Sequence, residues 1–254
     1  MNIESLLTSY LKDYDGVAVA YSGGVDSTVL LNIVSRIFPE KHVGVFVDSP
    51  LLSQRLRDSA ISTAETIGAN LAVVRLELAD LRNVMKNDSD RCYHCKRAIY
   101  SAVRDVADDF DIEVCLDGEN ASDDHDGRPG PKAASEYSMK SPFCDLSIPR
   151  TVIASYLERM RLPNIIVKDT CMATRVPMGT PFSNETLRLV EECESIVREI
   201  SNVRQLRVRL SGGCATILTS PSEINVIKKM ENELKNEFST LGLTIIVDEN
   251  GYIE

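Results

Sequence analysis

No stretch of this 254-residue chain is apolar for long enough to span a bilayer, and its N-terminus lacks a basic segment running into an apolar one. The expectation is a soluble, cytoplasmic protein with no signal peptide. Positive charge is in deficit: 28 lysines and arginines against 38 aspartates and glutamates give a net charge of −10. That argues against broad electrostatic capture of nucleic acid and leaves only a local basic groove open. Internal repeats and low-complexity tracts are absent. A disulfide framework is not expected either, because the seven cysteines are odd in number and irregular in spacing. At this length one large domain or two modest ones could bury a core.

What is present is organised around one stretch. Val17-Ala-Val-Ala-Tyr21 reads as a buried strand, and Ser22, Gly23, Gly24, Val25, Asp26 and Ser27 turn the chain into a helical pattern at Val29, Leu30, Ile33 and Val34. In a strand–loop–helix of this kind the loop amides converge on one spot. The helix dipole and the hydroxyls of Ser22 and Ser27 add to it, making an anion site suited to a phosphate chain. No lysine follows the glycines, so this is not the loop that grips β- and γ-phosphates.

Along the chain, strands alternate with helices at the spacing of βαβ units. A short helix at 3–11 precedes the first strand, and Val43–Val47 is a second strand ending at Asp48. Ligands in open α/β sheets sit beyond the carboxyl ends of strands, so Asp48 is placed to face the adenosine half of a nucleotide. A helix at 54–67 and a strand at 71–76 follow. Arg91-Cys-Tyr-His-Cys-Lys96 then opens a helix, and a strand at 114–116 ends in Asp117-Gly-Glu-Asn120. Residues 123–132, rich in Gly, Pro and Asp, read as a surface loop or lid. Pro149 opens a helix to about Met160, and a second Pro/Gly-rich segment runs from Asp169 to Pro181. Beyond it come a helix at 184–200, strands at 205–210 and 214–218, a single helix from the capping box Ser220-Pro-Ser-Glu223 to about Phe238, and a last strand at 243–247. The fold class is α/β: a parallel doubly wound sheet over residues 1–172, with a smaller C-terminal α/β domain over 173–254.

Cys115, Cys193 and Cys214 fall in apolar runs or on an apolar helical stripe and read as core thiols. The remaining motifs gain meaning from their order: Ser22–Ser27, Arg91–Lys96, Asp117–Asn120 with Arg128-Pro-Gly130, Cys171-Met-Ala-Thr-Arg175, Gly179-Thr180, and Arg207-Val-Arg209. This succession resembles the LarE family of ATP-dependent sulfur transferases, within the N-type ATP pyrophosphatases, over essentially the whole chain. The resemblance implies adenylation of the carboxylates of pyridinium-3,5-biscarboxylic acid mononucleotide, pyrophosphate release, and sulfur attack to give the thiocarboxylate precursor of a nickel-pincer cofactor. ATP, with Arg128 and Asp48 beside the phosphate loop, Mg²⁺ and a homo-oligomeric state are implied with it. Asp26 is a candidate metal-side carboxylate or a helix cap. Lys96, Arg175, Arg207 and Arg209 are candidates for the substrate's phosphate and carboxylates, the last two on one strand face that could also be plain exposed surface. Glu191, Glu192 and Glu194 resemble an acidic cluster, with Glu192 a possible Mg²⁺ ligand or part of a solvated helix face.

The sequence departs from that family at one point. Some members are read as carrying one cysteine, at the Cys171 position, which gives up its own sulfur and becomes dehydroalanine. Here Cys92-x-x-Cys95 is added. Three thiolates could hold a [4Fe-4S] cluster with one iron left without a protein ligand, able to take up exogenous sulfide and spare Cys171. A zinc site recruiting His94 or Cys144 and an unliganded redox pair are the other readings. Competing functions are tRNA thiolation, amidation of NAD- or GMP-synthetase type, and a non-enzymatic nucleotide-binding module. The acidic chain lacks the basic surface that RNA would want, and amidation has no use for three cysteines.

Overall fold

The structure, a computed structural model, describes residues 2–123, 130–160 and 170–251. The chain forms two compact units, one from Met1–Val84 and Asp90–Asp169, the other from Met85–Ser89 and Thr170–Glu254. The division falls at 169/170, where the sequence reading set a boundary at 172/173. The excursion of 85–89 into the second unit left no mark in the sequence pattern. Among the described residues no helix is long and apolar enough to cross a membrane.

The first unit runs α1 (Ile3–Leu11), β1 (Val17–Tyr21), α2 (Val25–Ile37), β2 (His42–Asp48), α3 (Gln54–Thr66), β3 (Leu71–Arg75), α4 (Arg91–Asp109), β4 (Val114–Leu116), α5 (Gly130–Glu136), α6 (Pro142–Asp145) and α7 (Arg150–Met160). The strands lie in the order β3-β2-β1-β4, all parallel, with Val17 opposite both His42 and Val114 and Gly44 opposite Leu71. Side chains alternate along β1. Val17, Val19 and Tyr21 pack with Leu7, Leu30 and Ile153 of α1, α2 and α7, while Ala18 packs with Val43, Val45 and the α4 residues Tyr100 and Val103. Helices therefore cover both faces, as in a doubly wound sheet. Strand order reverses at β1, which puts the switch point where the β1 and β4 loops open together.

The second unit holds α8 (Asn184–Ser201), β5 (Leu206–Ser211), β6 (Cys214–Thr219), α9 (Ile224–Lys229), α10 (Glu231–Thr240) and β7 (Thr244–Val247). β5 and β6 form an antiparallel hairpin, and β7 joins β6 in parallel after the α9–α10 crossover. The stripe Leu187, Val190, Cys193 and Val197 of α8 is buried, as are Leu206, Val208 and Leu210 of β5, against which α8 packs. The single helix expected from Ser220 is instead two, broken at Met230. Ser220 caps neither: its hydroxyl donates to Glu223, whose carboxylate is taken up by the Arg204 and Gln205 N–H groups. Cys214, expected in the core, is half-buried because it starts β6 at the hairpin end. Asn87, fully buried at φ 55°, donates from Nδ2 to the carbonyls of Val176, Pro177 and Thr180 at 3.4, 2.9 and 3.0 Å. That bonding is why 85–89 belongs to this unit.

His42, buried at the start of β2, has Nδ1 2.7 Å from the Phe38 carbonyl, while Nε2 accepts the Asn70 N–H at 3.1 Å. One ring thus joins the α2–β2 and α3–β3 connections. His42→Leu leaves the Asn70 amide without that acceptor and should cost about 1–3 kcal/mol. A urea midpoint unchanged from wild type would contradict this role.

Candidate active site

The β1–α2 loop is built by steric necessity. Gly23 sits at φ +76°, and a Cβ there would lie 2.5 Å from the Cβ of Ala60 on α3. Only glycine lets the chain turn this close to its neighbour. Gly24 then caps α2 without a side chain. The hydroxyls knit the loop internally: Ser27 Oγ accepts the Ser22 N–H at 3.2 Å and donates to the Gly24 carbonyl at 3.1 Å, and Ser22 Oγ accepts the Gly24 N–H at 3.3 Å. The first-turn amides of α2 are the donors that such a helix start offers to an anion.

From the other side of the switch point, the loop after β4 closes onto this helix start. A Cβ on Gly118 would fall 2.9 Å from the Ser27 nitrogen, so the backbones touch. Two residues on, Asn120 Nδ2 donates to Asp26 Oδ2 at 3.3 Å. The other oxygen, Asp26 Oδ1, is buried with no hydrogen-bond partner among the described residues. Burial pushes the Asp26 carboxyl above the usual carboxylate range, with the Arg150 charge pulling the other way. An orphaned, buried carboxylate oxygen beside a phosphate loop suits a hard cation such as Mg²⁺. Asp26 stands in the first turn of α2, whose N-cap is Gly24.

Asp48, at the carboxyl end of β2, is buried and held by Arg57 Nε at 2.5 Å and by Arg75 Nε at 3.6 Å. Its carboxylate is thus already engaged by two guanidinium groups. Lys96 pairs with Glu119 of the β4 loop. Burial lowers the Lys96 ammonium, with nearby Asp117 holding it up. Asp117 itself is buried and accepts the Tyr100 hydroxyl at 2.8 Å. Arg128 lies outside the described residues.

Cys92 stands in the first turn of α4 and Cys95 opens the second, the former exposed and the latter half-buried. A thiolate there gains from the helix dipole, and Arg91 Nη2 stands 3.8 Å from Cys92 Sγ. His94 faces a cleft of about 390 Å³ lined also by Asp80, Arg82, Arg97, Ser101 and Tyr137. Burial pushes the Cys144 thiol up to about 11. None of the seven cysteines is in a disulfide. Among the described residues no three His, Cys, Asp or Glu side chains gather into a ready metal site.

In the second unit Cys171 is half-buried and precedes a 3-10 turn, Met172–Arg175. Arg175, expected at the substrate, is fully buried, with its Nε 2.9 Å from Glu194 Oε1. Its guanidinium is committed inside the protein. Glu194 is likewise buried, and only the exposed Glu192 and half-buried Glu191 of the acidic trio reach solvent. Arg207 and Arg209 alternate with buried Leu206, Val208 and Leu210, so both lie on the outward face of β5. Reading the sequence missed Gly118, Asn120, Asn87 and the Arg175–Glu194 pair as parts of these sites. The Asp-Gly-Glu-Asn run at a strand end was the available signal for the first two.

Comparison with known proteins gives this geometry a setting. Residues 16–119, covering the phosphate loop, β1 to β4 and the Gly118 contact, match the phosphoadenosine phosphosulfate reductase domain. Over 250 residues the chain is 27% identical to the pyridinium-3,5-bisthiocarboxylic acid mononucleotide synthase of Lactiplantibacillus plantarum, covering 98% of this chain and 90% of that one. It is 29% identical to an uncharacterized protein of Methanocaldococcus jannaschii over 86% of this chain and 83% of that one. An uncharacterized protein of Synechocystis is 28% identical, over 97% and 93% respectively. Residues 16–119 are thus similar to the phosphoadenosine phosphosulfate reductase domain, and the likeness to the bisthiocarboxylate synthase extends over residues of both units.

Proposed function

We propose that the protein is an ATP-dependent sulfur transferase acting on the carboxylates of pyridinium-3,5-biscarboxylic acid mononucleotide. The observation that carries this reading is the lysine-free phosphate loop with the orphaned Asp26 oxygen beside it, on a chain similar along nearly its whole length to a synthase of that name. A carboxylate oxygen of the substrate attacks the α-phosphorus of ATP and the bond to the β-phosphate bridging oxygen breaks, giving an acyl adenylate and pyrophosphate. A hydrosulfide-level nucleophile then attacks the acyl carbon, AMP departs with the carboxylate oxygen, and a proton is lost from sulfur. Repeating both steps converts the second carboxylate.

The first-turn amides of α2 hold the departing pyrophosphate, stabilising negative charge as it develops. Asp26 is the ligand that would hold Mg²⁺, which would neutralise phosphate charge there. Arg207 and Arg209 offer two guanidinium groups on one outward face to the phosphate of the mononucleotide. If they do so, either residue changed to Ala should raise the substrate KM about 30- to 150-fold, the equivalent of roughly 2–3 kcal/mol, and leave the KM for ATP in place. An unchanged substrate KM would assign them to plain surface.

For the sulfur source the proposal is Cys92, Cys95 and Cys171 as ligands of a [4Fe-4S] cluster. Their donor chemistry fits: three thiols outside disulfides, each at least partly exposed, two of them at a helix start that favours thiolate. When bound, such a cluster with one iron lacking a protein ligand supplies a carrier for sulfide. Protein purified without air should be brown, with about four irons and four acid-labile sulfides per chain. Cys92→Ala, Cys95→Ala or Cys171→Ala should each lose the iron, and Cys115→Ala or Cys193→Ala should keep it. With sulfide supplied, turnover should exceed one per chain while Cys171 keeps its mass. Iron-free, active protein in which Cys171 has lost the mass of one H₂S would establish the sacrificial route instead.

A further inference from the structure

Among the described residues Arg175 is the largest side chain that is buried completely. Burying a guanidinium is costly unless every donor is used, and a buried ion pair frequently adds no net stability over an apolar replacement. What such a pair can deliver is geometry. Here Arg175 Nη1 donates to the Thr170 carbonyl at 2.8 Å and Thr170 Oγ1 at 2.6 Å. The same nitrogen reaches Thr174 Oγ1 at 3.2 Å and the Cys171 carbonyl at 3.4 Å. That carbonyl also accepts the Thr174 N–H at 2.9 Å and the Thr174 hydroxyl at 2.8 Å. Three donors therefore converge on the peptide oxygen of the cysteine itself.

On its other side, Arg175 Nε meets Glu194 Oε1 at 2.9 Å, and that same oxygen accepts the Val208 N–H of β5 at 3.1 Å. Val208 is the residue between Arg207 and Arg209. Glu194 Oε2 lies 3.6 Å from Arg198, one turn further along α8. One carboxylate oxygen thus ties the Cys171 turn to the middle of the strand that carries both outward arginines. We propose that Arg175 and Glu194 are positioning residues, a buried pair that fixes the backbone of Cys171 and its register against Arg207 and Arg209. This rests on the reading that Cys171 takes part in sulfur transfer. Arg175 would then act through Cys171 and not by touching substrate.

The test uses the full-length chain with Thr174→Val, Thr174→Ser, Glu194→Gln and Arg175→Lys. Thr174 is only half-buried, so its variants keep the test available should a buried substitution prevent folding. Thr174→Val and Glu194→Gln should lower kcat for sulfur transfer by about tenfold or more, with KM for ATP and for the pyridinium nucleotide within about twofold of wild type. Thr174→Ser, which keeps the hydroxyl, should restore kcat. Independently of turnover, alkylation of Cys171 by iodoacetamide in chelator-treated protein should change about tenfold relative to Cys92 in the same chains, read by mass spectrometry. A raised KM for the pyridinium nucleotide at unchanged kcat in Arg175→Lys would make Arg175 a substrate ligand and overturn the proposal. Wild-type kcat and wild-type Cys171 alkylation in Thr174→Val and Glu194→Gln would overturn it as well. If Cys171→Ala itself keeps full sulfur transfer, the reading of Cys171 fails first, and the positioning role falls with it.

Discussion

The proposed nucleotide site depends on β1 pairing in parallel with β2 on one side and β4 on the other. That pairing brings two loops, about a hundred residues apart in sequence, to the same end of the sheet. Their contact is backbone to backbone. Gly118 lies so close to the Ser27 nitrogen that no side chain fits between them, and Asn120 reaches across to Asp26. The helix start is therefore fixed from two directions, by Ala60 under Gly23 and by Gly118 against Ser27. For the proposed anion site the consequence is preorganisation. Its donors do not have to be assembled when phosphate arrives, which is the condition under which such dipoles lower a barrier most.

Local pattern made much of this visible beforehand. The alternation of Val17 to Tyr21, the glycine pair and the apolar spacing of α2 carry their own explanation within a dozen residues, and the α/β class follows from repeating that unit. Cys92 and Cys95 at a helix start were legible for the same reason. What stayed hidden depends on contacts far apart in sequence. Asn87 shows no periodicity to mark it, yet its amide joins three carbonyls about ninety residues away. Arg175 reads as a substrate-binding cation beside a cysteine, because nothing local reveals that Glu194 is waiting nineteen residues on. The break at Met230 was missed because Ser220 and Glu223 form a capping pattern in sequence but spend their side chains on each other and on Arg204 and Gln205.

Charged groups in both units are used in the same way. Asp48 with Arg57 joins the end of a strand to a helix, while Lys96 with Glu119 and Arg175 with Glu194 each join a loop or turn to a helix. Lone buried charges would be expensive, so each is paired. Asp26 Oδ1 is the exception, a buried carboxylate oxygen without a hydrogen-bond partner among the described residues. That unsatisfied acceptor at the phosphate loop supports the proposal that a ligand binds there.

The central claim is that this site splits ATP between its α- and β-phosphates to activate a carboxylate. The most direct measurement follows γ- and α-labelled ATP with Mg²⁺ and the pyridinium dicarboxylate mononucleotide. The account predicts labelled pyrophosphate from the first and AMP from the second, dependent on the mononucleotide and abolished in Asp26→Ala. ADP and orthophosphate as products would contradict it.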